Sequence, residues 1–316
     1  MRIVFLGSPP FGTLVLARLL ESPFPPGLVV TTPDRQEGRG RALRPSPLAE
    51  LASRAGIPLL RTESVREEAC DAALRAHAPD VVLVASWGEL LRAEFLELPR
   101  LCVLNVHPSL LPRHRGATPV QAAILSGDAT TGVSIQRVVL ELDAGDVLVQ
   151  RSTQVGADET AGELSERLAR LGGEAAAEAL GDLAAGRAVF RPQDARAATV
   201  CRKLTKESGR IDWARTAEEL ARHVRAMSPW PGAATTLPSG VPLRVWKARA
   251  LPAGPPGSSA APGTVLEARA RLRVACGRDE LALFEVQSAG KRVLGAAEFL
   301  RGTPLAVGAR LGGPGG

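Results

Sequence analysis

The sequence predicts an α/β fold: a doubly wound, mainly parallel sheet followed by a smaller domain built as a β-barrel. Three observations predict it. In the first half, short apolar runs alternate with stretches of helical spacing, which implies right-handed β-α-β crossovers and a parallel sheet. In the second half, short apolar runs follow one another between turn residues, with a single helical stretch among them. Between the halves lies a polar, basic segment that shows neither pattern. The expected domains are 1–188, a linker over 189–208, a barrel over 209–308 and a tail over 309–316.

The elements follow in order. Ile3–Leu6, Gly27–Thr31, Val81–Ala85 and Leu101–Val106 are apolar runs bounded by turn residues, so each is expected to form a buried strand. Phe11–Leu20, Pro47–Ala55 and Val65–Ala76 have helical spacing, and Ser46-Pro47 supplies an N-cap and a first-turn proline. Glu159–Leu183, acidic and rich in alanine, predicts a long helix that closes the first domain. The segment RAVFRPQDARAATVCRKLTKESG, residues 187–209, is expected to cross between domains in an extended form. Thr216–Met227 predicts one helix. Ala233–Leu237, Leu243–Ala248, Thr264–Leu266, Leu272–Ala275 and Leu281–Val286 predict the barrel strands, with tryptophans 213, 230 and 246 in its core. Leu251–Gly263 is too rich in proline and glycine for either regular structure, and the terminal GARLGGPGG is expected to fray.

Composition narrows the functional class. The longest wholly apolar runs, of about five residues, are far below the roughly 20 that a membrane helix needs. The N-terminal MRIVFLG reads as a strand, without the apolar core and cleavage site of a signal peptide. Four scattered cysteines, Cys70, Cys102, Cys201 and Cys276, argue against a disulfide framework or a zinc ribbon. A soluble, cytoplasmic, monomeric protein is expected. Residues 1–188 carry 19 basic and 23 acidic side chains, whereas residues 189–316 carry 20 and 10. That basic second half on an acidic first half suggests a polyanionic partner.

The chemistry concentrates after the run at 101–106. Ligands of doubly wound sheets bind at the carboxyl ends of the strands. There the chain reads Asn105-Val106-His107, and Asn105 is its only asparagine. Period-two alternation places Asn105 and His107 on one face. An amide donor beside an imidazole is suited to hold an oxyanion or polarise a carbonyl. A carboxylate, Asp143 in LELDAGD, is a further candidate. Near His107 it would raise the imidazole pKa or position a water that carries a proton. Other chemistries fit less well. GSPPFG after the first strand lacks the G-x-G-x-x-G spacing of a dinucleotide loop. His107 and His114 have no cysteine or acidic cluster beside them, so no metal is expected.

These residues carry a resemblance. The run NVHPSLLPRHRGATPVQAAILSGDATTGVSI followed by ELDAGDVL resembles the folate-dependent formyltransferases, which share an Asn-x-His strand end, a Ser-Leu-Leu-Pro loop and a later Asp. RIVFLGSPPFG, TTPDRQEGRGRALRPSPLAELA, KLTKESGRIDW and MSPWPG extend the similarity over nearly the whole chain, toward the members that act on a charged initiator tRNA. The resemblance implies a Rossmann-like formyltransferase domain with Asn105, His107 and Asp143 as the catalytic set, followed by an OB-like barrel. It also implies a folate site lined by Ser109, Leu110, Leu111, Pro112, Trp87 and Gly88. The implied reaction is formyl transfer from 10-formyl-tetrahydrofolate to the α-amino group of methionyl initiator tRNA. Attack by the amine would give a tetrahedral oxyanion held by Asn105 and His107, with Asp143 keeping His107 protonated or helping to move the proton.

The same resemblance implies that Arg35, Arg39, Arg41 and Arg44, in a glycine-punctuated loop, contact tRNA phosphates together with Lys203 and Lys206. Two positions depart from the family pattern. Trp87 stands where tyrosine or phenylalanine is usual, and Glu141 where glycine is usual. A formyltransferase acting on a nucleotide-sugar or glycinamide ribonucleotide, a formyl-folate hydrolase, and an RNA-binding protein with a degenerate catalytic domain are the alternatives. The basic second half, the arginine-rich loop and KLTKESGRIDW argue against the first two, and the intact Asn105, His107 and Asp143 against the last.

Overall fold

The computed structural model describes residues 1–37, 42–252 and 260–312. The chain divides into two compact units. The first holds Met1–Pro119, Thr130–Gln154 and Leu164–Arg202; the second holds Val120–Ala129, Val155–Glu163 and Lys203–Gly316. The chain thus passes to the second unit twice before it stays there.

The first unit opens with β1 (Ile3–Gly7), α1 (Phe11–Leu20), β2 (Leu28–Thr31) and a small pair, β3 (Arg35–Glu37) and β4 (Ala42–Arg44). Next come α2 (Pro47–Arg54), β5 (Leu59–Arg61), α3 (Glu68–His77), β6 (Val81–Ala85), α4 (Ala93–Leu96), β7 (Cys102–His107) and β8 (Arg115–Gly116). After α5 (Pro119–Ser126) follow β9 (Thr130–Arg137), β10 (Val147–Gln154), α6 (Ala161–Ala184) and β11 (Val200–Cys201). The main sheet runs β10-β9-β7-β6-β1-β2-β5. Its strands from β7 to β5 are parallel, and β9 and β10 add an antiparallel edge.

β1 and β6 are buried at every residue, as strands covered on both faces require. α6 lies tight on the sheet because of Gly172-Gly173: a Cβ on Gly172 would come within 2.6 Å of Val106, and one on Gly173 within 2.5 Å of Arg18. The Ser46 hydroxyl caps α2 by accepting from Ala49 N, as expected. α3 starts three residues later than its periodicity suggests. There the Glu89 carboxylate accepts from Ser64 Oγ and Val65 N and holds the segment in a turn.

The segment read as a linker is built into the first unit as far as Arg202. Arg191 forms a bridge with Val147, and β11 pairs in parallel with β8.

The second unit contains α7 (Ala217–Ala226), β12 (Ala233–Thr236), β13 (Pro242–Leu251), β14 (Val265–Ala268), β15 (Leu272–Ala275), β16 (Glu280–Ser288), β17 (Leu294–Gly295) and α8 (Ala296–Gly302). Its antiparallel sheet runs β12-β13-β16-β15-β14, with β17 on β16. Thr216 and Glu219 form a capping box at the start of α7.

The expectation of a frayed terminus is corrected for residues 308–312; residues 313–316 lie outside the described residues. Ala309 O accepts from Val265 N and Leu311 N donates to Gly263 O beside β14, while Gly312 N donates to Thr236 O at the β12 edge. The terminal segment therefore links the two edges of the sheet, and Leu311 is buried beneath it. A second correction concerns the tryptophans. Trp213 is buried and donates to Thr235 Oγ1, Trp246 is half-buried, but Trp230 is 53% exposed.

Candidate active site

The site lies in the first unit, at the carboxyl end of β7. The β7–β9 register sets Asn105 opposite Gln136 and His107 opposite Ser134, so all four side chains share one face. Asn105 is half-buried, and its amide makes no hydrogen bond to the described residues. His107 is buried.

The ring state of His107 follows from its partners. Nε2 lies 2.9 Å from the carbonyl oxygen of His114, which can only accept, so Nε2 carries a proton. Nδ1 lies 3.6 Å from Asp143 Oδ1, beyond hydrogen-bond length. Burial pushes the imidazole pKa below its ordinary value, and the Asp143 charge and the His114 carbonyl offset this only in part. The buried ring is therefore neutral at pH 7, with Nδ1 as its lone-pair nitrogen. Of the two roles open to Asp143, holding His107 protonated is outweighed by burial.

Asp143 sits at φ +49°, in the left-handed region, between β9 and β10. Its Oδ1 accepts from Gln136 Nε2 and its Oδ2 from Gly116 N, each at 2.8 Å. Gly116, at φ +114°, leaves no room for a side chain, because a Cβ would come within 2.2 Å of Cys201 O. Gln193 Nε2 donates to the main-chain oxygens of Asp143 and Gly145 at 2.9 and 2.7 Å. Sequence reasoning missed Gln136, Gln193 and Gly116. Gln193 is 50 residues from Asp143, and no local pattern links them.

The loop after β7 is rigidly built. Ser109 Oγ donates to Arg113 O, Ser134 Oγ donates to Ser109 O, and Gln150 Nε2 donates to Leu111 O. Ser109 and Leu111 are buried, so they contribute the loop's shape, whereas Leu110 and Pro112 remain half-exposed. Trp87 follows β6 and packs, half-buried, on a cluster that includes Val4, Leu6 and Val84. Val138, at the start of the Asp143 loop, packs on the same cluster, which brings the two segments together. The Trp87 indole Nε1 is buried without a hydrogen-bond partner, and there is open space where a Gly88 side chain would be. Leu140 and Leu142 stand 69% and 49% exposed on the Asp143 loop.

The basic residues are distributed differently. Arg35 lies in β3, and Arg44 is exposed at the end of β4. Arg39 and Arg41 fall outside the described residues. Lys203 and Lys206 are exposed on the second unit, where Lys206, Arg210 and Arg310 line a depression of about 620 Å³ floored by Trp213 and Leu311. Among the described residues no group of His, Cys, Asp and Glu could hold a metal ion. No described helix is long and apolar enough to cross a membrane.

Residues 1–180 match the formyl transferase family and residues 203–304 the formyl transferase C-terminal domain. The chain is 44% identical over 312 residues to a methionyl-tRNA formyltransferase of Methylococcus capsulatus, covering 99% of this chain and all of that one. It is 43% identical over 313 residues to one from Roseiflexus sp., covering 99% and 95%. The fold is that of an N-formyltransferase from Helicobacter canadensis solved with folinic acid and dTDP-3-aminofucose: TM-score 0.64 and 14% identity, covering 91% of this chain and 99% of that one. HypX from Aquifex aeolicus, solved with tetrahydrofolic acid, matches at TM-score 0.62 and 20% identity; the match covers 95% of this chain and 47% of HypX. The chain belongs to the formyl transferase family and groups within it with the methionyl-tRNA formyltransferases.

Proposed function

We propose that the chain transfers a formyl group from 10-formyl-tetrahydrofolate to the α-amino group of methionyl initiator tRNA, in the cytoplasm where translation starts. The full-length identity to methionyl-tRNA formyltransferases carries this reading. The neutral His107, with its free Nδ1 beside Asp143, supplies chemistry suited to it.

The folate supplies the formyl carbon. Asn105, whose amide has no partner among the described residues, donates to the formyl oxygen as negative charge develops there. The attacking amine must lose a proton as its nitrogen bonds to that carbon. His107 Nδ1 takes it, and the adjacent Asp143 carboxylate stabilises the imidazolium that results. The same proton then passes to the folate nitrogen as its bond to the formyl carbon breaks, which restores the neutral ring. Trp87 and the Leu140–Leu142 edge hold the pterin end. The arginine loop and the basic residues of the second unit hold tRNA phosphates.

Incubation with 10-formyl-tetrahydrofolate and either initiator or elongator methionyl-tRNA tests the reading. Formylation of the initiator species is expected. Transfer to a small amine such as a nucleotide-linked aminosugar, with none to tRNA, would overturn it.

A further inference from the structure

We infer that Gln193, in the segment following α6, is a positioning residue for Asp143, acting through a clamp that begins at buried Arg115. The inference rests on the proposed proton chemistry of His107 and Asp143.

Arg115 is 7% exposed, and its Nε and Nη2 both donate to Gln193 Oε1, at 3.1 and 2.8 Å. This is a two-pronged grip on a neutral amide oxygen. The Gln193 amide nitrogen faces the opposite way and donates to the main-chain oxygens of Asp143 and Gly145. A cation drawing on the amide oxygen polarises the amide and strengthens its N–H donors. The next residue after Arg115, Gly116, donates its own N–H to Asp143 Oδ2. The Arg115-Gly116 pair thus holds Asp143 from two sides, by the carboxylate directly and by the main chain through Gln193.

The clamp has a reason to exist. Asp143 is in the left-handed region, which is unfavourable for a residue with a side chain and persists only where its surroundings impose it. Another residue could supply a partner for Arg115: Glu141 Oε1 lies 3.7 Å from Nη1 but is a highly exposed side chain. Only an amide can accept from a guanidinium with one end and donate to two carbonyls with the other. Glutamine at 193 meets both demands, and glutamate would meet only the first.

That difference gives the test. Gln193→Ala and Gln193→Glu are assayed with 10-formyl-tetrahydrofolate and initiator methionyl-tRNA, and their Tm values are measured without substrates. Gln193→Ala is expected to lose about 10- to 100-fold in kcat, the scale for a misplaced catalytic group, with KM for folate little changed and Tm reduced. Gln193→Glu keeps the pairing with Arg115 but turns a carboxylate oxygen toward the main-chain oxygens of Asp143 and Gly145, so neither kcat nor Tm is expected to recover. If Gln193→Glu restores kcat together with Tm, Gln193 serves only as a partner for Arg115 and the positioning role is overturned. Asp143→Asn, run in parallel, separates the two levels. Near-normal kcat in Gln193→Ala with an inactive Asp143→Asn overturns the clamp alone, whereas an active Asp143→Asn removes the group being positioned and overturns both.

Discussion

His107 Nδ1 and Asp143 Oδ1 stand 3.6 Å apart without a hydrogen bond between them, because each has its stronger partners elsewhere. The ring is oriented by the His114 carbonyl, and the carboxylate by Gln136 and Gly116. The gap is the place where one added proton changes a weak contact into an ion pair. Replacing Asp143 by Asn keeps the shape and removes the charge that stabilises the imidazolium. We predict a loss in kcat of about a hundredfold or more, with folate affinity nearly unchanged by equilibrium titration. Loss of folate binding would make Asp143 a binding residue instead.

The pH dependence has a definite sign. Burial holds the pKa of His107 below its ordinary value, so the working neutral form of the ring persists on mild acidification. Stability follows the same groups. His223 is also shifted down, by burial first. Unfolded histidines take up protons near pH 6.5 while the folded ones resist, so the unfolded state gains as pH drops through that value. Thermal melts between pH 7.5 and 5 should therefore show a falling Tm, and His223→Gln should flatten part of the slope. A titration above pH 7 that belongs to the ring itself, read by NMR of the His107 imidazole in the free enzyme, would contradict the assigned ring state.

Backbone room around the site gives a stability prediction. A Cβ on Gly145 would lie 1.8 Å from Arg137 O, an impossible contact that only a shift of the Asp143 loop could relieve. Gly145→Ala should destabilise by roughly 2–4 kcal/mol, in the range of backbone-strain mutants, and lower kcat as well. By comparison, Thr216→Ala removes only a helix cap in the second unit. It should cost about 1 kcal/mol in denaturant unfolding and leave kcat unchanged.

Electrostatic holding of tRNA predicts a steep salt dependence. Neutralised phosphates release counterions, so affinity for charged tRNA should fall linearly in log–log form with rising salt. Replacing Arg39 and Arg41 together by Ala should raise KM for tRNA and reduce that slope, while folate binding is kept. An unchanged slope would remove this loop from the tRNA contact.

The site was partly legible in the sequence for physical reasons. Asn105 and His107 could be read because strand periodicity fixes which residues share a face, whereas Asp143 before Ala-Gly reads equally as a turn residue and is singled out by the family resemblance. Gln136 and Gln193 could not, since their roles arise from pairings across the sheet and across 50 residues of chain. The fold shows the same division. The parallel strands announce themselves as continuous apolar runs. α8 is too short to display a period, and the terminal segment looks disordered in composition, yet long-range main-chain bonds pin it to Val265, Gly263 and Thr236. Burial set against the Asp143 charge also decided the state of His107, and burial cannot be weighed from spacing.

The central claim is that Asn105 and His107 carry formyl transfer to charged tRNA. Single-turnover transfer of labelled formyl from 10-formyl-tetrahydrofolate to initiator methionyl-tRNA, comparing wild type with Asn105→Ala and His107→Ala at saturating substrates, tests it most directly. Each variant is expected to fold, bind folate and transfer at least about a hundredfold more slowly, the scale for losing an oxyanion donor or a catalytic base. Near wild-type single-turnover rates in either variant would contradict it.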